Sequence, residues 1–129
     1  YAFEPGRIDR IMPLASGLRA GLPLILDSDY PCAPFDPLAA IRLAVGRTCA
    51  DGSPHPERID AATAWRAMTT MPADVVGDLR LGRLEPGARA DLVILDGDPF
   101  GDDIELTAVS VRATMVDGAV VWGDGLVGG

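Results

Sequence analysis

The chain has 129 residues, 48% of them apolar and 5% aromatic, and a formal net charge of −8. That length suits about one domain, and the apolar content supports a packed core rather than disorder. The acidic balance excludes a phosphate-backbone partner, which calls for a basic surface, and no apolar run approaches the ~20 residues of a membrane-spanning helix.

Residues 1–20 mix turns with a short helix. Pro13 opens it, Leu14 and Leu18 share a face, and Ala20-Gly21 suits a glycine-closed end. Residues 22–26 are an apolar run leading into Asp27-Ser28-Asp29, and they read as a buried strand with polar groups at its C-terminal end. Pro31 and Pro34 mark residues 30–35 as a loop. Asp36 and Pro37 are an N-cap and a first helical residue, and the helix is predicted to run to about Thr48 with Leu38, Ile41, Ala44 and Val45 on one face. A polar loop over 49–56 precedes a second helix near 57–71, with Ile59, Ala62, Trp65 and Met68 or Thr69 inward. Pro72 starts a further short helix through Val76.

From Leu79 the pattern turns to strands. Pro86 presets its φ and Gly87 accepts positive φ, so the pair fits a type II turn. A strand is predicted over 90–95, with Asp91 at its start and Leu92, Val93, Ile94 and Leu95 covered on both faces. Asp96-Gly97-Asp98-Pro99 is a turn. Strands over 110–116 and 119–122 flank Asp117-Gly118, the signature of a type I′ hairpin. The glycine-rich stretch from Gly123 is expected to fray. Two parts result, residues 1–78 with one strand and helices, and residues 79–129 with a small β unit. Neither closes on itself, because three strands are thin for an independent sheet, so the sequence reads as a piece of something larger.

Asp29 is the leading candidate for chemistry. In parallel α/β folds the functional residues sit at the C-terminal ends of strands, and strand alternation would put Asp27 and Asp29 on one side. A carboxylate there can ligate a metal or accept a proton from the attacking water. Both aspartates also fit as caps of the following turn. Lysine is absent, which removes it from the catalytic candidates. Cys32 and Cys49 form no disulfide framework and are expected to be reduced, which suits the cytoplasm. Cys32 has no paired histidine and is a poor nucleophile. The single histidine, His55, lies in a proline-flanked loop and is expected at the surface. Asp96-Gly97-Asp98 matches part of a calcium loop but lacks its late glutamate, so a turn is the reading kept.

Two ordered blocks carry a resemblance. The first is Gly21-Leu22-Pro23-Leu24-Ile25-Leu26-Asp27-Ser28-Asp29-Tyr30-Pro31, then Asp36-Pro37-Leu38, then Thr48 and Gly52. The second is Leu81-Gly82-Arg83-Leu84-Glu85-Pro86-Gly87 with Ala90-Asp91-Leu92-Val93-Ile94-Leu95-Asp96, then Asp98-Pro99, then Val116-Asp117-Gly118-Ala119-Val120-Val121. In this order they resemble the C-terminal third of the amidohydrolase superfamily, closest to the branch of N-substituted formamide deformylase. The resemblance implies an α/β fold, the last part of a (β/α)8 barrel over residues 1–78 and the C-terminal strands of a small β-sandwich over 79–129. It implies hydrolysis of C–N bonds in a small amide or formamide-like substrate, assisted by one or two divalent metals, zinc being the expected ion. The superfamily's Ser-Asp after the eighth strand falls on Ser28-Asp29, so Asp29 is the implied ligand or proton carrier. Where the family usually has glycine this chain has Asp27, which adds a second carboxylate and a further candidate ligand. The family's other ligands, an early His-x-His, a mid-barrel Lys or carboxylate and two further His, have no counterpart in these residues, so the chain alone is expected neither to hold the metal tightly nor to turn over. The alternative from another class is a truncated or degenerate relative that serves as a structural or self-associating module.

Overall fold

The computed structural model describes residue 7 and residues 10–100 and 109–123, which form two compact units, Tyr1–Met68 and Thr69–Gly129. The predicted fraying of residues 124–129 falls outside the described residues.

The described residues of the first unit form three short helices. α1 spans Leu14–Arg19. It closes with Gly21 N–H on the Leu18 carbonyl (2.9 Å) and Leu22 N–H on the Gly17 carbonyl (3.0 Å), with Gly21 at φ 78°. This paired closure satisfies carbonyls that a helix end would leave free, and it needs a residue tolerant of positive φ. α2 spans Pro37–Val45; Asp36 caps it by accepting from Leu38 N (3.0 Å) and Ala39 N (3.2 Å). Ile41, Ala44 and Val45 of the predicted inward face are buried, Leu38 is half-buried, and the helix stops at Val45, short of the predicted Thr48.

α3 spans Ala61–Met68, shorter than the sequence suggests. Asp60 caps it instead, taking Thr63 N and Thr63 Oγ1 at 2.8 Å each. Its buried residues are Ala64 and Ala67, rather than Ala62 and Trp65. The predicted register counts from Ile59, but Ile59 precedes the helix and follows a turn closed by Arg58 N–H on the His55 carbonyl at 3.1 Å; His55, Glu57 and Ile59 are its buried residues. Ile59 N–H joins the Ala44 carbonyl at 3.2 Å and ties this segment to α2.

Residues 22–28 are extended but form no strand. A ladder needs a second strand, and the described residues of this unit supply none; Leu26 N–H instead reaches the Ala67 carbonyl of α3 (3.1 Å). Alternation then ends at Asp29, whose φ of +48° is left-handed, so Asp27 and Asp29 are not a strand's same-face pair.

The second unit opens with α4, Thr70–Val76, two residues before the predicted start at Pro72. Pro72 is tolerated because first-turn N–H groups have no intrahelical partner. A three-stranded antiparallel sheet follows in the order β1-β2-β3: β1 Leu92–Leu95, β2 Val111–Val116 and β3 Ala119–Trp122. The Glu85–Ala88 turn closes at 3.1 Å with Gly87 at φ 92°, as a type II turn requires. Asp117 (φ 51°) and Gly118 (φ 80°) make the type I′ hairpin turn. Asp91 steadies that turn by accepting Asp117 N–H at 2.7 Å. Among the described residues β1 is an edge strand, not one covered on both faces; Val93 is 45% exposed. The described residues thus show a small sheet and four short helices, and they draw neither a barrel nor a two-sheet sandwich.

Candidate functional site

Asp29 sits at the first bend after the extended run. Its carbonyl accepts Cys32 N–H at 2.8 Å, closing a turn, and its own N–H donates to Asp27 Oδ1 at 3.1 Å. Asp27 therefore acts as a turn cap, while Asp29 is exposed in a left-handed conformation. Non-glycine residues rarely adopt this φ; aspartate is among the few that do, and such positions cluster at functional sites. The following loop carries Tyr30 and Phe35 in an edge-to-face contact, ring centres 6.1 Å apart, and ends on the Asp36 cap of α2.

A cavity of about 400 Å³ adjoins this turn. Leu26, Asp27 and Ser28 line one side, and Asp36, Leu43 and Arg47 are among the residues of the other. Arg47 is held there by its guanidinium, which donates to the Ile11 and Met12 carbonyls at 2.8 and 2.7 Å.

The structure links Asp27 to Asp29 through the Asp29 backbone N–H. Among the described residues no three His, Cys, Asp or Glu side chains gather as a metal site. A carboxylate can supply one oxygen donor to a metal, and the described residues do not gather a set of them around Asp29. Cys32 and Cys49 are free thiols.

His55 is buried, not at the surface. Its Nδ1 accepts Glu57 N–H at 3.0 Å, a bond that seats it inside the fold. Glu57 is buried as well, 8% exposed, and sequence reasoning passed over it. Its Oε2 accepts Ser16 N–H at 2.7 Å, its Oε1 accepts the Ser16 hydroxyl, and Arg19 lies 3.8 Å away. The two Ser16 hydrogen bonds hold the Glu57 carboxyl below its ordinary range, with Arg19 adding to them. No sequence signal marked Glu57, because His55 and Glu57 belong to a turn and neither is apolar, so their burial follows no periodic pattern of apolar residues.

Residues 2–122 match the amidohydrolase family model, and the chain belongs to the amidohydrolase family. Members of that family are generally metal-dependent. Among its relatives is the N-substituted formamide deformylase of Arthrobacter pascens, 36% identical over 115 residues, covering 86% of this chain and 21% of the relative. YtcJ of Bacillus subtilis is 29% identical over 102 residues, covering 74% of this chain and 19% of its own length. An amidohydrolase from Thermotoga maritima MSB8 superposes with a TM-score of 0.63 at 25% identity, over 86% of this chain and 26% of that one. The chain thus spans about a fifth of the length of the curated relatives it matches.

Proposed function

We propose that these residues are the C-terminal portion of a metal-dependent amidohydrolase that cleaves C–N bonds in small amide or formamide-like substrates in the cytoplasm. In this reading residues 1–78 complete a (β/α)8 barrel and residues 79–129 supply strands to a small β-sandwich. The observation that carries it is the left-handed, exposed Asp29 at the end of an extended run, with its N–H fixed by Asp27, in a chain matched to the family over residues 2–122. Similarity to a deformylase of N-substituted formamides supports the substrate class. Two free cysteines suit a reducing compartment, and the charge of −8 favours a small substrate over nucleic acid. No described helix is long and apolar enough to cross a membrane, so a membrane partner is not part of the proposal.

Asp29 would be a metal ligand, with Asp27 as a further donor. Zinc, the proposed ion, supplies a Lewis acid for the amide carbonyl when bound. Asp29 itself accepts the proton of the attacking water and returns it to the leaving nitrogen, a role for which an exposed carboxylate on a fixed turn is suited. The test is Asp29→Asn in the full-length enzyme, with formate release from an N-substituted formamide as the readout. Loss of about 10²–10⁴-fold in kcat is expected for an acid–base carboxylate. Wild-type turnover in that variant, on a substrate the parent enzyme cleaves, refutes the assignment.

A non-enzymatic, self-associating module is favoured by one feature, the exposed apolar residues of β3, where Trp122 is 58% exposed. Tight one-to-one zinc binding by the 129-residue chain alone would contradict both readings, since neither gives it a complete ligand set.

A further inference from the structure

We infer that Glu57 is a positioning residue for Asp29, holding through Ser16 and α1 the extended run on which Asp29 is carried. The inference rests on the reading of Asp29 as the acid–base carboxylate.

A buried carboxylate is costly unless its oxygens are filled, and Glu57 fills both with a single residue. Ser16 N–H and the Ser16 hydroxyl each take one oxygen, and Arg19 approaches from the exposed side. The backbone of Glu57 is fixed in turn, because its N–H is held by His55 Nδ1 at 3.0 Å. The clamp is thus rigid at both its ends, and bonds to a charged acceptor are about twice as strong as neutral ones.

Its direction is what links it to the site. Ser16 lies on α1, and the closing bonds of α1 start the extended run at Leu22, through the Gly17 carbonyl (3.0 Å). Four residues on, Leu26 N–H is held by the Ala67 carbonyl of α3 at 3.1 Å. Asp27, Ser28 and Asp29 follow at once. No ladder registers this run among the described residues of its unit, so its placement depends on these end anchors. Glu57 supplies the N-terminal anchor from the 55–59 run, which also bonds to α2 through Ile59 and Ala44 (3.2 Å). The α2 cap, Asp36, ends the loop on the other side of Asp29. Glu57 therefore sits where the elements on both sides of Asp29 are joined. An apolar residue of similar size would fill the space but would not fix the direction in which α1 is held. A shift of the reacting group by about 1 Å can cost about 10²-fold in rate.

The experiment is a kcat cycle in the full-length enzyme on an N-substituted formamide, combined with hydrogen exchange over residues 22–29. Glu57→Ala is expected to lower kcat by about 10–100-fold with little change in KM, and to speed exchange over 22–29. Glu57→Gln keeps an acceptor for Ser16 and restores part of the loss. In an Asp29→Asn background Glu57→Ala brings no further loss, because the residue acts through Asp29. Should Glu57→Ala fail to fold by circular dichroism, Ser16→Ala takes its place; it removes one bond of the clamp and is expected to show a smaller loss with the same dependence on Asp29. A folded variant with wild-type kcat and unchanged exchange overturns the inference, as does a loss that persists in Asp29→Asn. Full activity of Asp29→Asn alone instead overturns the reading beneath it.

Discussion

Ile41 offers the sharpest test of the packing that holds the site. It lies on the inward face of α2 and is 1% exposed, the largest fully buried side chain among the described residues. Ile41→Ala removes three carbon groups, worth about 0.8 kcal/mol each in lost burial, or about 2.4 kcal/mol together. The cavity left behind adds to this, and the sum falls at about 3–4 kcal/mol, within the ~2–5 kcal/mol found for such core truncations. Ile41→Val removes one carbon and should cost about 1 kcal/mol. Leu43, two residues along the same helix, is 72% exposed, and Leu43→Ala should stay within about 0.5 kcal/mol. For a cooperative unit of this size each kcal/mol moves Tm by about 4–8 °C, so Ile41→Ala lowers Tm by more than about 10 °C. Thermal melts followed by far-UV circular dichroism, with urea titrations at one temperature, separate the three variants. Equal losses for Ile41→Ala and Leu43→Ala, or a loss below about 1 kcal/mol at Ile41, would refute the reasoning that α2 packs through Ile41.

Gly82→Ala should destabilise by about 2 kcal/mol or more, because φ is +67° and a Cβ would lie 2.3 Å from the Thr69 carbonyl oxygen. Gly52→Ala, at φ +82° with open space around it, should cost only about 1 kcal/mol; denaturant midpoints compare the two. Asp78 is lowered from 3.8 to about 2, chiefly by the Arg80 side chain and then by the Arg80 backbone N–H. A carboxyl depressed on folding adds stability above its unfolded value and loses it as pH falls through the folded one, so this contribution disappears between about pH 4 and pH 2. Asp78→Asn should therefore flatten acid unfolding in that window and leave its slope above it unchanged, as read by melts across a pH series. A full-slope acid transition in the variant would assign the loss to other carboxyls. Asp36→Ala removes the acceptor of two α2 amides and should cost about 1 kcal/mol, with reduced helical signal on melting.

Turns and caps were legible in the sequence because each depends on a few adjacent residues. Pro86-Gly87, Asp117-Gly118, Asp36-Pro37 and Gly21 all adopt the conformations their chemistry prescribes. The inward face of α2 was legible for a similar reason, since its apolar spacing and its true start coincide. The face of α3 was not, because the start was misplaced by several residues and a helix turns about 100° with each one. The ordered motifs also determined the family, and with it Asp29 as the residue to examine.

The remaining features depend on partners distant in sequence. Whether 22–26 becomes a strand depends on a neighbouring strand, and its composition cannot supply one. Asp27 and Asp29 part company because one caps the turn that carries the other in a left-handed conformation. His55 was expected at the surface and Glu57 drew no reading, yet burial follows from what lies opposite, and opposite Glu57 stands Ser16, 41 positions away. Local sequence fixes the torsions of a turn; it does not say which distant donor will make a carboxylate worth burying.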